Sequence, residues 1–227
     1  MSIKEQIYEI IDLAKTALLE KEVGAYCESE NFELKESFTV NGNITINSRT
    51  IVGVNSRPSY KFLDDISWDD SKKRAIVIGF NPSLSVLSKL DRTNRNVVDL
   101  LSRYSYGSYY LLNIYPIVSP NPEDVEPNGT NETFAEKIVK ILEANISSPN
   151  PTDQLDVILI WGPTIRPDKN DLLVTVLEKT RAKGKLFCSC IDKTFVHASA
   201  RYENVSSLSI EKVLAVKNGT KFVNVTV

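Results

Sequence analysis

The sequence predicts an α/β fold of three layers, α/β/α, with a mostly parallel central sheet covered by helices on both faces. Three observations carry this reading. Four apolar runs, AIVIGF (75–80), SYYLLNIY (108–115), DVILIW (156–161) and KLFCSC (185–190), have the continuous hydrophobicity of strands buried on both sides. Between them lie NRNVVDLLSRYS, NETFAEKIVKILEAN and KNDLLVTVLEKTRAKG, whose apolar residues recur three or four apart, as on an amphipathic helix. The alternation of the two patterns is that of a parallel sheet built through helical crossovers.

Taken in order, the chain opens on MSIKEQIYEIIDLAKTALLEKE. Ile3, Ile7, Ile10, Ile11, Ala14, Leu18 and Leu19 fall near helical spacing with charges between them. Those charges interrupt any signal-peptide core, and no stretch approaches the roughly 18 apolar residues of a membrane span. A cytoplasmic protein is expected, with no membrane partner. Next, FELKESFTVNGNITINSRTIVGV (32–54) alternates around Asn41-Gly42, a hairpin signal. The texture changes at Arg57, so residues 1–56 read as a helix-and-hairpin extension and 57–227 as the α/β domain. That domain closes on LAVKNGTKFVNVTV, a second hairpin around Asn218-Gly219 expected at a sheet edge.

Composition narrows the function. The 227 residues are 42% hydrophobic and 25% charged, ordinary for a folded protein. With 29 acidic against 27 basic side chains and a formal charge of −2, the chain lacks the basic excess that duplex binding draws on. A small ligand fits better than extended nucleic acid; oligomeric state is not legible. Three cysteines, Cys27, Cys188 and Cys190, make no paired framework, and two thiols with a distant His197 fall short of a zinc set. There is no Walker loop, no Gly-x-Gly-x-x-Gly and no nucleophile elbow, so no metal or cofactor is expected.

In an open parallel sheet, ligands bind beyond the carboxyl ends of the strands. The residues following the four runs are therefore the candidates. Gly79-Phe80-Asn81-Pro82-Ser83 ends the first run: proline holds Asn81 extended and suits a helix start, and the N–H groups after it can meet an anion. Asn81 also suits a helix cap, which would use only its oxygen. Asn113 ends the second run and Trp161-Gly162 the third, an indole for stacking beside a residue without a side chain. His197, the single histidine, follows the fourth; it suits a donor to a developing oxyanion, although lone histidines are commonly surface or satisfied core residues. Asp91, Thr93 and Arg95 follow the first corner, where Asp91 can orient water and Arg95 can hold phosphate, or the stretch can be a capped helix start.

Tyr60-Lys61-Phe62-Leu63, Trp68, Gly79-Phe80-Asn81-Pro82-Ser83, Asp91-Arg92-Thr93-Asn94-Arg95, Tyr106-Gly107, Leu112-Asn113-Ile114-Tyr115, Trp161-Gly162 and His197 occur in an order and spacing that resembles the bacterial and phage family called domain of unknown function 1643, over residues 57–210. That family is similar to the uracil-DNA glycosylase superfamily. The resemblance implies a three-layer fold in which Asn81 positions an attacking water and His197 donates to the base oxygen as the glycosidic bond breaks. The chain departs from the pattern at Leu90-Asp91-Arg92-Thr93, where the family has Asp-Asp-Pro-Thr, and at His197-Ala198-Ser199, where it has His-Pro-Leu. Losing that proline removes a rigid turn which would fix the imidazole. Three functions follow as expectations: recognition of a nucleotide, nucleobase or derived small molecule with N-glycosidic hydrolysis; the same pocket in a non-catalytic sponge or sensor; and a DNA glycosylase, which the charge balance ranks last.

Overall fold

The computed structural model describes residues 32–41, 44–53, 61–82, 92–115, 129–162, 170–198, 207–218 and 223–227. The expected N-terminal helix lies outside them. In chain order the elements are β1 (Phe32–Asn41), β2 (Ile44–Gly53), β3 (Lys61–Ser67), β4 (Lys73–Gly79), α1 (Arg92–Arg103), β5 (Tyr106–Asn113), α2 (Gly129–Ile146), β6 (Asp156–Leu159), α3 (Asn170–Ala182), β7 (Leu186–Ile191), β8 (Thr194–Phe195), β9 (Ser209–Lys212), β10 (Ala215–Asn218) and β11 (Val223–Thr226).

The four apolar runs become β4, β5, β6 and β7, and they form the parallel centre of the sheet in the order β5-β4-β6-β7. Both flanks are antiparallel: β3 pairs with β5, β2 with β3 and β1 with β2 on one side, and β8 and β9 pair with β7 on the other. The sheet thus has nine described strands, more than the periodicity of the four runs alone implies. Every residue of β5 is buried, as its unbroken apolar run requires of a strand covered on two faces.

Alternation along the strands divides the core in two. Ala75 and Val77 join Ile66, Tyr109, Leu111, Ile158 and Ile160 under Val97, Val98 and Leu101 of α1. Ile76 and Ile78 join Leu112, Val157 and Leu159 under α2 and α3, through Ile138, Leu142, Leu173 and Leu177. Helices therefore cover both faces, and the three-layer α/β expectation holds. No described helix is long and apolar enough to cross a membrane.

Two details differ from the sequence reading. In the first hairpin Asn41 lies opposite Ile44, so it is the last ladder residue, one position away from the turn it was expected to form. The C-terminal hairpin is not an edge ribbon of the main sheet: β10 and β11 form their own two-stranded sheet. It is anchored on α3, where the Val216 N–H donates to Glu178 Oε1, and Val216 and Val225 pack into the α2–α3 core.

Candidate functional site

The β4 corner is built by close approach. Gly79 lies beside Asn113 in the parallel register, and a Cβ at position 79 would stand 2.5 Å from Asn113 Oδ1, so the amide occupies the space a side chain would fill. Main-chain pairing runs on beyond the strand ends, with Ile114 N–H donating to Gly79 O (3.1 Å) and Tyr115 N–H to Phe80 O (2.9 Å). This sets the half-buried Phe80 ring against Tyr115, centroids 5.1 Å apart at 59°. Asn81 follows, half-buried, with its Nδ2 donating to Pro82 O at 3.3 Å. Pro82 is buried, whereas Ser83 and Asp91 lie outside the described residues.

On the neighbouring strand, Ile160 N–H still pairs with Ile78 O (2.9 Å), which carries Trp161 and Gly162 to the same carboxyl border. His197 reaches that border by a reversal. Asp192 and Lys193, at φ 48° and 62°, turn β7 into β8, and the returning chain forms an isolated antiparallel bridge between His197 and Trp161. Opposed residues of an antiparallel pair project to one side, so imidazole and indole share a face. Gly162, at φ 89°, closes the contact: a Cβ there would sit 3.3 Å from both Cβ and N of His197, in a conformation that disfavours side chains anyway.

Trp161 corrects one expectation. The indole is 3% exposed and packs edge-on to Phe195 (6.0 Å, 66°), so its faces belong to the core and do not offer a stacking surface. Among the described residues its Nε1–H has no hydrogen-bond partner, and a buried donor left so costs about 1–3 kcal/mol. Phe80, at the neighbouring strand end, is only partly buried.

Helix α1 begins at Arg92, which puts Thr93, half-buried, and Arg95, exposed, in its first turn. Two buried residues near this helix start were given no role by the sequence reading. Asn94 accepts from Tyr109 OH through Oδ1 (2.8 Å) and donates through Nδ2 to Asp64 Oδ2 (3.3 Å). Asp64 in turn pairs with Lys61 Nζ at 2.7 Å, with side chains 1% and 8% exposed. Asn96 Nδ2 donates to Ala198 O at 2.7 Å, linking α1 to the residue after His197. A signal existed: the apolar positions Val97, Val98 and Leu101 run back three or four residues to Asn94, so an amide at the helix start lay on the buried stripe.

Burial holds the His197 imidazole below its ordinary pKa, because desolvation disfavours the charged ring. The group is neutral at pH 7 and keeps one N–H donor and one acceptor. A pH dependence follows. As pH falls, the unfolded chain takes up the proton first, near its ordinary value of about 6.5, and the folded chain only further down. Stability is therefore unaffected above that value and is lost between the unfolded and folded pKa, by at most about 1.4 kcal/mol per pH unit. Urea unfolding of the wild type and His197→Gln should show a gap that changes only below about pH 6.5; a gap constant from pH 5 to 8 contradicts this.

Cys188 and Cys190 are both buried on β7, with sulfurs 3.6 Å apart. The neighbouring Cys190 thiol, and then burial, push Cys188 well above the usual thiol range, so it is no thiolate nucleophile at neutral pH. Among the described residues, no group of three or more His, Cys, Asp or Glu side chains is gathered to hold a metal ion.

A family model described as "Protein of unknown function (DUF1643)" matches residues 65–198, more than half of the chain. The chain belongs to this family. The DUF1643 segment runs from within β3 to the residue after His197 and contains all the candidate site residues. No curated protein matches the chain. Among solved structures, acetyl xylan esterase 1 from Thermoanaerobacterium sp. JW/SL YS485 is similar at 12% identity, with a TM-score of 0.29 over 75% of this chain and 54% of that one. The chain spans about half the length of that protein, and a likeness at this level carries no argument.

Proposed function

We propose that the carboxyl border of β4, β5 and β6 recognises a nucleotide, a nucleobase or a nucleotide-derived small molecule. The observation that carries this reading is the Trp161–His197 bridge closed by Gly162, which fixes the chain's one imidazole on the border where the Gly79–Asn81 corner ends. A neutral imidazole keeps one N–H that can donate to a carbonyl or oxyanion. On the side of His197, Phe80 offers a ring for stacking; from the α1 side of the same border, the Asn113 amide offers a donor and an acceptor, and Arg95 on the first turn of α1 a planar fork for phosphate. These are the groups a nucleotide uses: a base edge, a base face and a charged end.

In its catalytic form the reading is hydrolysis of an N-glycosidic bond. Asn81 positions water and His197 stabilises the departing base, the roles implied by the resemblance to the uracil-DNA glycosylase superfamily, and Asp91 is the second carrier of the water by its own chemistry. The alternative is sequestration without turnover, in a phage sponge or a sensor; it is favoured by Ala198 standing where the family has a proline. A DNA glycosylase ranks third, because a formal charge of −2 gives little grip on a phosphate backbone.

Incubation of the purified protein with a nucleotide panel, followed by mass spectrometry, separates the first two. Free base in the supernatant indicates hydrolysis; intact compound released on denaturation indicates sequestration. His197→Ala and Asn81→Ala should each abolish product, or lower retention by about tenfold or more, the loss of a hydrogen bond worth about 1.4 kcal/mol. If both variants match the wild type, the site is elsewhere.

A further inference from the structure

We infer that Ser189 and Asn96 are positioning residues for His197, gripping the main chain on either side of it and doing the work of the missing proline. His197 lies between two residues whose N–H and C=O groups are all hydrogen-bonded. Before it, Val196 N–H donates to Ser189 O (3.0 Å), and Val196 O accepts from Ser189 Oγ (2.6 Å). After it, Ala198 N–H donates to Ile160 O (3.2 Å), and Ala198 O accepts from Asn96 Nδ2 (2.7 Å). The side chains that complete the grip come from β7 and α1, and both are buried, Ser189 at 0% and Asn96 at 6% exposure.

Alternation places the grip and the imidazole on opposite sides of the main chain. Ala198 is buried in the α1-side core, and His197, next to it, projects to the side shared with Trp161. Ser189 likewise alternates with Cys188 and Cys190, which face the α2–α3 core. The main chain is thus held from one face while the ring is presented on the other. Position 198 also acquires a purpose: a proline there would have no N–H for Ile160, so alanine exchanges a rigid ring for a hydrogen bond. Four hydrogen bonds on Val196 and Ala198 hold the chain on either side of His197, in place of one restricted φ.

This inference concerns the placing of His197 in the free protein, and its bearing on ligand recognition rests on the function proposed above. The test is run without ligand on the full chain. With a single histidine, labelling with ¹⁵N-histidine yields one set of ring resonances and one titration curve. Asn96→Leu and Ser189→Ala should each shift the ring resonances and raise the midpoint toward the ordinary value by about half a pH unit or more, as the loosened ring gains water.

Asn145→Leu is the control. Asn145 clamps Leu155 in the same manner, donating to its C=O (2.9 Å) and accepting from its N–H (2.9 Å), but far from His197 in the topology. It should lower the melting temperature and leave the histidine signals unmoved. The proposal is overturned if both test variants keep the wild-type resonances and midpoint, or if Asn145→Leu shifts them equally. Should the test variants not fold, amide exchange in the wild type decides: Val196 and Ala198 should exchange about a hundredfold or more slower than unstructured amides. Exchange of Ala198 at the unstructured rate would falsify the grip. Failure of every nucleotide to bind would remove the functional reading and leave this result standing.

Discussion

Gly107→Ala is expected to destabilise the protein by about 3 kcal/mol or more, at the top of the range for overpacking, and to lower the melting temperature by about 6–12 °C. A Cβ on residue 107 would stand 1.8 Å from the carbonyl oxygen of Asp69 and 2.8 Å from its carbonyl carbon. Both obstacles are main chain, so no side-chain rotation relieves them. Nor can the main chain withdraw cheaply. Gly107 O accepts from the N–H groups of Trp68 (2.9 Å) and Asp69 (3.0 Å), tying the end of β3 to the start of β5. The turn beyond is held by Asp69, whose Oδ1 accepts from Ser71 N–H (3.1 Å) and Oγ (2.6 Å) while its C=O accepts from Lys72 N–H (3.2 Å). The Ser71 hydroxyl, and then the Lys72 ammonium 3.2 Å from Asp69 Oδ2, also hold the Asp69 carboxyl below the usual carboxylate range. Urea denaturation measures the effect; a loss under about 1 kcal/mol would mean that the β3–β4 turn swings aside freely.

Asp64→Ala is expected to cost about 3–5 kcal/mol, because it strips the buried Lys61 ammonium of its carboxylate and takes a partner from Asn94. The pair is a poor stabiliser in its own right, since desolvating two charges offsets most of their attraction. Replacing both partners by apolar residues, Lys61→Met with Asp64→Leu, should therefore recover most of the loss. The comparison is informative because the pair sits close to the border. Asp64 lies opposite Leu111, two residues before Asn113, and Lys61 is three residues nearer the border along β3. A double variant that is stable yet loses small-molecule retention would assign the pair to recognition; one that keeps retention would assign it to packing. Thermal melts and the nucleotide panel read the two outcomes separately.

The central layer was legible because its residues meet one dominant demand. Ile76, Val77, Ile78, Val157, Ile158 and Leu159 must be apolar in an unbroken run to fill two buried faces, and such runs advertise themselves. The corner Gly79-Phe80-Asn81-Pro82 was legible for a related reason, a run stopped by residues with special main-chain requirements. The β7–β8 reversal was not, because Asp192 and Lys193 take positive φ without the glycine that usually signals it. The polar contacts escaped for a different reason. Asn94, Asn96 and Ser189 look like surface residues, and only the meeting of segments far apart in sequence, as with Asn96 and Ala198, makes them interior. The stacking role for Trp161 failed similarly: sequence locates an indole at a strand end but does not say that Phe195 comes back to cover it.

The first hairpin looked like an appendage when read as a string of letters, yet it is laced along β3, from Asn47 opposite Ser67 to Val52 opposite Lys61. Chain beginning at Arg57 would leave β3 as a naked margin, its outward amides and carbonyls ready to recruit any extended peptide, including another copy of itself. The segment common to the family thus borrows a shield from outside its own limits, and the strand that bears the Lys61–Asp64 pair is the one shielded.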